Sequence, residues 1–301
     1  MIQPQHTGGR VNVLTTPEVI TSIDELRSRL ASARERAVPG DARIVLVPTM
    51  GALHAGHLTL VRRARSRGDI VVVSIFVNPL QFGAGEDLNT YPRTLDADVA
   101  ALAAEGVDFV FAPTSQVMYP AGAASTRVTA GAVGALYEGA ARPGHFDGML
   151  TVVAKLFNIV GPDLAVFGQK DAQQVFLVER MLADLDFRLA LEIVPIVREE
   201  GGLALSSRNR NLDPAQRLAA RSLSAGLDAA ASAAPQGVAA ALAAAHARID
   251  VQPLVKLDYL VVVDPRTFLP VGADHVGPAR MLVAALVGNT RLIDNVALDI
   301  P

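Results

Sequence analysis

The segment Pro48-Thr-Met-Gly-Ala-Leu-His-Ala-Gly-His57 places two glycines and two histidines between a short run of branched apolar residues and a helical pattern. Glycine lets the backbone come close to a ligand. A helix start offers free N–H groups and the positive end of the dipole, both suited to phosphate. His54 and His57 are three apart, so one helical turn can aim both at the same ligand. A helix N-terminus disfavours imidazolium in an empty site and a bound polyphosphate favours it, so a nucleotide would raise their proton affinity. Such groups can donate to phosphoryl oxygens as negative charge builds during attack at an α-phosphorus. A lone His-x-x-His is more often a pair of helix-cap residues; the strand–Gly–His–Gly–His–helix setting favours chemistry. The segment contains no GxGxxG, no GxxxxGK[ST] and no HExxH, which argues against a dinucleotide site, a P-loop and a zinc protease.

Three further clusters carry polar groups after apolar runs. Asn78 and Gln81 follow Ser74-Ile-Phe-Val. An amide donates and accepts at once, which fits a substrate bearing both hydroxyl and carboxylate; loop capping before Pro79 is the alternative for Asn78. In Gly168-Gln-Lys-Asp-Ala-Gln-Gln174, Lys170 can neutralise phosphate, Asp171 can cap a helix, and Gln174 lies one turn further on. In Leu203-Ala-Leu-Ser-Ser-Arg-Asn209, two hydroxyls and a guanidinium form a flexible polyphosphate clamp, since Arg grips phosphate as a bidentate fork. No histidine–aspartate partnership or nucleophile elbow accompanies Ser206 and Ser207, so they are not read as nucleophiles. His145 precedes an apolar helical stripe and is expected to shape the site wall, whereas His6, His246 and His275 carry no assigned chemistry.

The elements that must position these groups follow from apolar periodicity. Buried strands are expected at 43–48, 69–77, 107–111, 163–167 and 191–197, with helices at 17–37, 57–67, 96–105 and 171–185. Met149, Val152, Val153, Leu156, Phe157 and Val160 define another amphipathic helix. Strands alternating with helices imply right-handed crossovers and a parallel sheet, with ligands outside the carboxyl ends of the strands. From about residue 197 the character changes. Asp213-Pro214 starts a helix as N-cap and first residue. An alanine-rich tract interrupted at Pro235 and Gly237 gives small packing helices. Strands are expected at 257–263, 280–286 and 295–300, with a turn at Gly288-Asn289. This predicts an α/β fold with two units, residues 1–196 and a smaller α+β unit over 197–301; residues 1–9 read as a loose tail.

Among the 301 residues there are 27 basic and 30 acidic side chains, a net charge of −3, and half of the residues are hydrophobic. That composition excludes an intrinsically disordered chain and gives no electrostatic reason to expect nucleic acid. The chain contains no cysteine, which excludes disulfides, thiolate metal sites and cysteine nucleophiles. No apolar run approaches the roughly 20 residues that span a bilayer. With no secretory signal apparent, no membrane partner is expected and the expected location is cytoplasmic.

Taken together, Val47 through His57, Val73-Ser-Ile-Phe-Val-Asn-Pro79, Tyr91-Pro-Arg-Thr94, Arg142-Pro-Gly-His-Phe146, Lys170-Asp171 with Gln173-Gln174, Ser206-Ser-Arg-Asn209 and Arg291-Leu-Ile-Asp-Asn295 resemble the pantoate–β-alanine ligase family, from about residue 11 to the C-terminus. The resemblance implies a Rossmann-like nucleotidyltransferase domain, a small lid-like C-terminal domain and a homodimer. It implies a C–N bond-forming ligase that condenses (R)-pantoate with β-alanine to pantothenate, AMP and pyrophosphate through a pantoyl adenylate. By the same resemblance, Met50, Gly51, Ala52, Leu53, His54, Ala55, Gly56 and His57 hold ATP, with His57 as proton donor and His54 and Lys170 assisting catalysis. Gly168, Gln169, Lys170, Asp171, Val197, Leu205, Ser206, Ser207 and Arg208 complete the ATP site. Gln81 and Gln174 hold pantoate, and Gln81 also lies by β-alanine. Departures are mild: Gln169 stands where glutamate is common and Ala172 where an aromatic is frequent. Mg2+ is expected to ride on the ATP phosphates; its protein ligands are not identified, Asp96 and Asp98 being candidates. A related nucleotidyltransferase that stops after nucleotidyl transfer is the alternative.

Overall fold

A computed structural model of the chain describes residues 16–36, 42–83, 85–86, 88–122 and 124–301. The expected tail at 1–9, with His6, lies outside these residues. Among the described residues six strands form one parallel sheet: β1 (Glu18–Ile20), β2 (Ile44–Thr49), β3 (Ile70–Ile75), β4 (Phe109–Phe111), β5 (Leu164–Gly168) and β6 (Ala190–Val194). Their order is β1-β4-β3-β2-β5-β6. The chain therefore builds outward from β2 in one direction through β3 and β4, then returns to β2 and builds in the other through β5 and β6. That reversal opens a crevice at the carboxyl ends of β2 and β5, the place where sheets of this type bind ligands.

Both faces of the sheet are covered, which explains why β2 and β3 read as continuous apolar runs. Ile44, Leu46, Ile70 and Val72 join one core with α1 (Ile23–Arg36), α6 (His145–Val160) and α7 (Ala172–Asp184). Their alternating neighbours Val45, Val47, Val71 and Val73 join the other, with Val61 and Ala64 of α2 (Ala55–Arg65) and Leu102 of α3 (Leu95–Ala104). All six residues of the apolar stripe on α6 are buried, and so are Leu150, Thr151, Ala154 and Ile159, so the helix is enclosed on more than one face. Two single-turn helices, α4 (Ser115–Met118) and α5 (Glu138–Ala141), lie in the connection to α6.

Two expectations are corrected. The helix expected over 17–37 begins only at Ile23, because Glu18–Ile20 pairs with β4 as an edge strand. Ile20 is buried through that pairing, not as part of the helical stripe. The strand expected over 191–197 ends at Val194. Pro195 follows, and it has no N–H to continue the ladder.

The C-terminal part contains α8 (Pro214–Ala233), α9 (Val238–Ile249) and an antiparallel sheet of β7 (Val255–Val263), β8 (Gly277–Val287) and β9 (Thr290–Ile300). Asp213 caps α8 through the Gln216 N–H at 2.8 Å. Small residues on α8 and α9, including Ala220, Ala230, Ala241 and Ala245, share a core with β8 and β9. Val263, Phe268 and Leu282 instead join the core of the parallel sheet, and Phe268 stacks on Phe176 of α7 at 5.0 Å between ring centroids.

Gly148 of α6 lies directly against the turn that carries Gln81. A Cβ there would overlap the Leu80 carbonyl and come within 2.7 Å of the Gln81 amide nitrogen. Because both obstacles are backbone, the Gly148→Ala variant is expected to lose about 1–3 kcal/mol of stability, the usual cost of overpacking. Urea denaturation measures it, and an unchanged midpoint would contradict this packing.

Candidate active site

The cleft at the carboxyl ends of β2, β3, β5 and β6 gathers most of the residues singled out from sequence. Met50, His54, Gly56, His57, Gln81, Gly168, Gln169, Lys170, Asp171, Gln174, Val197, Leu205, Ser206, Ser207 and Arg208 all line it. They come from five stretches of chain. Arg142 and His145, at the head of α6, complete the wall.

The loop after β2 turns sharply through two successive positive φ angles, +83° at Gly51 and +52° at Ala52. The second is a strained conformation for a residue with a Cβ. It is held by Asp98, whose two carboxylate oxygens accept the N–H groups of Ala52 (2.9 Å) and Leu53 (2.8 Å). Of the expected contacts, Gly51, Ala52 and Leu53 form this braced loop and Ala55 opens α2; none of the four is among the residues that line the cleft. Thr94 also donates to Asp98 at 3.2 Å. Asp98 is thus a buried loop brace with its oxygens engaged, which does not suit a metal ligand, and Asp96 is exposed.

His54 and His57 cap α2 reciprocally. The His54 Nδ1 accepts the Gly56 N–H (3.1 Å), and the His57 Nδ1 accepts the His54 N–H (3.4 Å). A backbone N–H only donates, so both Nδ1 atoms are bare and both neutral rings carry their proton on Nε2. The rings stack with centroids 4.0 Å apart. Burial is the main force pushing the His57 pKa down from 6.5 to about 3, followed by neighbouring His54 and Lys170. His54 is lowered by burial and then by Lys170. The neutral state foreseen from the helix N-terminus thus arises chiefly from desolvation. The site offers two neutral N–H donors beside a lysine.

Asn78, for which a ligand contact and a loop cap before Pro79 were both open, is the cap: its Oδ1 accepts the Leu80 N–H at 3.3 Å, and the residue stands behind the cleft wall. It is buried, its Nδ2 donates to Gln81 Oε1 (3.1 Å) and to the Gly148 carbonyl (3.0 Å), and its Oδ1 accepts from Tyr119 (2.8 Å). Burial pushes the Tyr119 pKa up to about 12, so the phenol stays a donor. With its oxygen engaged, Gln81 turns its NH2 toward Met50 Sδ at 3.0 Å, a weak acceptor that a carboxylate would readily replace.

The backbone of Gln81 is fixed from the other side. Its carbonyl can only accept, so His145 donates through Nδ1 (2.8 Å) and receives Arg142 Nη1 on Nε2 (3.1 Å). Arg142 in turn pairs with Glu86 at 2.6 Å. That hydrogen bond holds the Glu86 carboxyl below its usual range. The Glu86–Arg142 pairing is not legible in the sequence, because the partners are separated by 56 positions and neither lies in a periodic element.

A family model described as pantoate-beta-alanine ligase matches residues 18–297. The chain belongs to the pantoate–β-alanine ligase family. Among its relatives, a pantothenate synthetase of Leifsonia xyli subsp. xyli is 60% identical over 289 residues, covering 94% of this chain and all of the relative. A crystal structure of pantothenate synthetase from Thermus thermophilus superposes with a TM-score of 0.85 at 48% identity, covering 93% of this chain and 98% of that one. A pantoate-beta-alanine ligase from Francisella tularensis, solved complexed with beta-gamma ATP and beta-alanine, gives 0.74 at 33% identity, with 93% and 97% covered. The pantoate–β-alanine ligase relatives therefore share both the parallel sheet and the C-terminal addition.

The histidine pair makes two measurable differences. If His57 donates to the reacting phosphate, His57→Ala lowers the turnover rate by ~10²–10³, the usual cost of one lost donor. A folded variant with near-normal rate would remove the assignment. The second concerns stability. Between pH 6.5 and about 3 an unfolded chain protonates this histidine and the folded one does not. The unfolded state then binds more protons, so stability falls as pH drops through that window. His57→Gln removes this contribution, so chemical denaturation at pH 6.5 and pH 4.5 is expected to show a smaller acid-induced loss than in wild type. Parallel curves would contradict it.

Proposed function

We propose that this cleft binds ATP with its triphosphate beside His54, His57 and Lys170, and binds pantoate between Gln81 and Gln174. The carbon–nitrogen ligase activity itself goes with membership of the family, and condensation of pantoate with β-alanine is its reaction. The observation that carries the residue roles is the convergence of the β2, β3, β5 and β6 ends and the 205–208 loop on one crevice.

In the first step a pantoate carboxylate oxygen attacks the α-phosphorus. The bond to the bridging oxygen breaks, and pyrophosphate leaves with the electron pair. The imidazole Nε2–H groups and the Lys170 ammonium stabilise charge that builds on the phosphoryl oxygens. Those imidazoles are neutral before ATP arrives, and the incoming phosphates raise their proton affinity. In the second step the β-alanine amine attacks the acyl carbon of pantoyl adenylate, loses a proton, and AMP departs. No protein nucleophile is required; positioning and electrostatics supply the catalysis.

Ser206, Ser207 and Arg208 close the nucleotide side from residues 197–301, the unit we regard as the smaller domain. Mg2+ would enter bound to the ATP phosphates. Among the described residues no three His, Asp or Glu side chains gather to hold a metal, and the Asp98 oxygens already accept three hydrogen bonds. No helix among the described residues is long and apolar enough to cross a membrane. A cytoplasmic homodimer is the assembly we propose.

The two-step order is tested by isotope exchange. Labelled pyrophosphate is expected to enter ATP when pantoate is present and β-alanine absent. Exchange that required β-alanine would overturn the adenylate, and exchange with no amine-dependent AMP release would indicate a nucleotidyltransferase that stops at the first step.

A further inference from the structure

Lys170 is presented by the short turn between β5 and α7, and that turn is fastened from an unexpected direction. Asn295 of β9, in the antiparallel sheet, donates from Nδ2 to the carbonyls of both Gln169 (2.9 Å) and Lys170 (3.0 Å). The side chain is buried. Its orientation is set by chemistry: Arg280 of β8 can only donate, and its Nη1 lies 2.6 Å from Asn295 Oδ1, so the NH2 must face the two carbonyls. On the other side of the turn, the Gln169 N–H donates to the Val194 carbonyl at 2.9 Å.

The neighbouring residue fastens the other nucleotide-facing segment. Asp294 pairs with Arg198 at 2.6 Å and also accepts the Asn295 N–H at 2.8 Å. Arg198 donates to the Gly202 carbonyl (2.9 Å), within the 198–204 hairpin that leads into Leu205 and Ser206. Two consecutive residues of β9 thus hold the Lys170 turn and the hairpin before the serine–arginine loop.

We propose that Asn295 is a positioning residue for the nucleotide, fixing the backbone from which Lys170 reaches the phosphates. This rests on the assignment of the cleft to ATP. Removing the NH2 leaves two carbonyls at a strand end without their partner and frees the turn. The effect should be confined to ligands that Lys170 touches.

The test is a double-mutant cycle read by calorimetric binding. The ligands are an ATP analogue with a methylene between the β- and γ-phosphorus, and adenosine, which lacks phosphate. Asn295→Ala is expected to weaken the analogue about tenfold, equivalent to about 1.4 kcal/mol, because the two carbonyls lose their buried partner and the turn is no longer fixed. Adenosine affinity should change less than about twofold. In a Lys170→Ala background the Asn295→Ala effect on the analogue should nearly vanish, because coupled residues are not additive. Asn295→Ser, which keeps a donor of shorter reach, is carried through the same cycle in case the alanine variant folds poorly. Equal weakening of both ligands, full additivity with Lys170→Ala, or wild-type affinity in a folded variant would each overturn the proposal. Wild-type protein that fails to bind the ATP analogue would instead overturn the assignment of the cleft.

Discussion

The reciprocal capping of α2 by its own histidines is the interaction on which the site depends. Free N–H groups at a helix start must be satisfied, and here two of them are satisfied by imidazole nitrogens in place of the usual Ser, Thr or Asp oxygens. One arrangement therefore does three things. It ends the loop after β2, it fixes the tautomer of both rings, and it leaves each ring an N–H on the edge away from the backbone. Burial then keeps both neutral. A charged cap would bind phosphate more strongly in the ground state. A neutral donor leaves room for the interaction to strengthen as charge develops, which is what accelerates a chemical step.

A second constraint is the reversal of strand order at β2. It brings the ends of β2 and β5 side by side, so stretches separated by more than a hundred residues face one crevice. Polar residues behind the wall then decide where the wall residues point. Asn78 turns Gln81, Asp98 holds the strained turn at Ala52, and the Glu86–Arg142–His145 chain grips the Gln81 carbonyl.

This division explains what could be read from sequence. Buried strands such as 44–49 and 70–75 are apolar on both faces, and the polar groups beyond them mark strand ends, so the sheet and most of the cleft were legible. The edge strand at Glu18–Ile20 was not. It is three residues long, and Ile20 falls in phase with the helix that follows. Asn78 and Asp98 stayed open for a related reason. An amide or carboxylate after a strand looks the same in sequence whether it faces a ligand or a buried N–H, and only the neighbouring backbone settles it. Asp294 and Asn295 stood out only as part of a motif. Two adjacent polar residues between Ile293 and Val296, breaking the alternation of the strand, were the available sign that something lies against them.

Phe268 has a bearing on how the C-terminal part can move. It belongs to the connection between β7 and β8, yet it is buried in the core of the parallel sheet, stacked on Phe176 and edge-on to Tyr137. Withdrawing a buried phenyl ring costs about 1.5–3 kcal/mol in exposed apolar surface alone. A wide swing of the small sheet away from the cleft would have to extract that ring. A motion that left the ring seated, with Val263 and Leu282 in the same core, would have to pivot close to this aromatic plug.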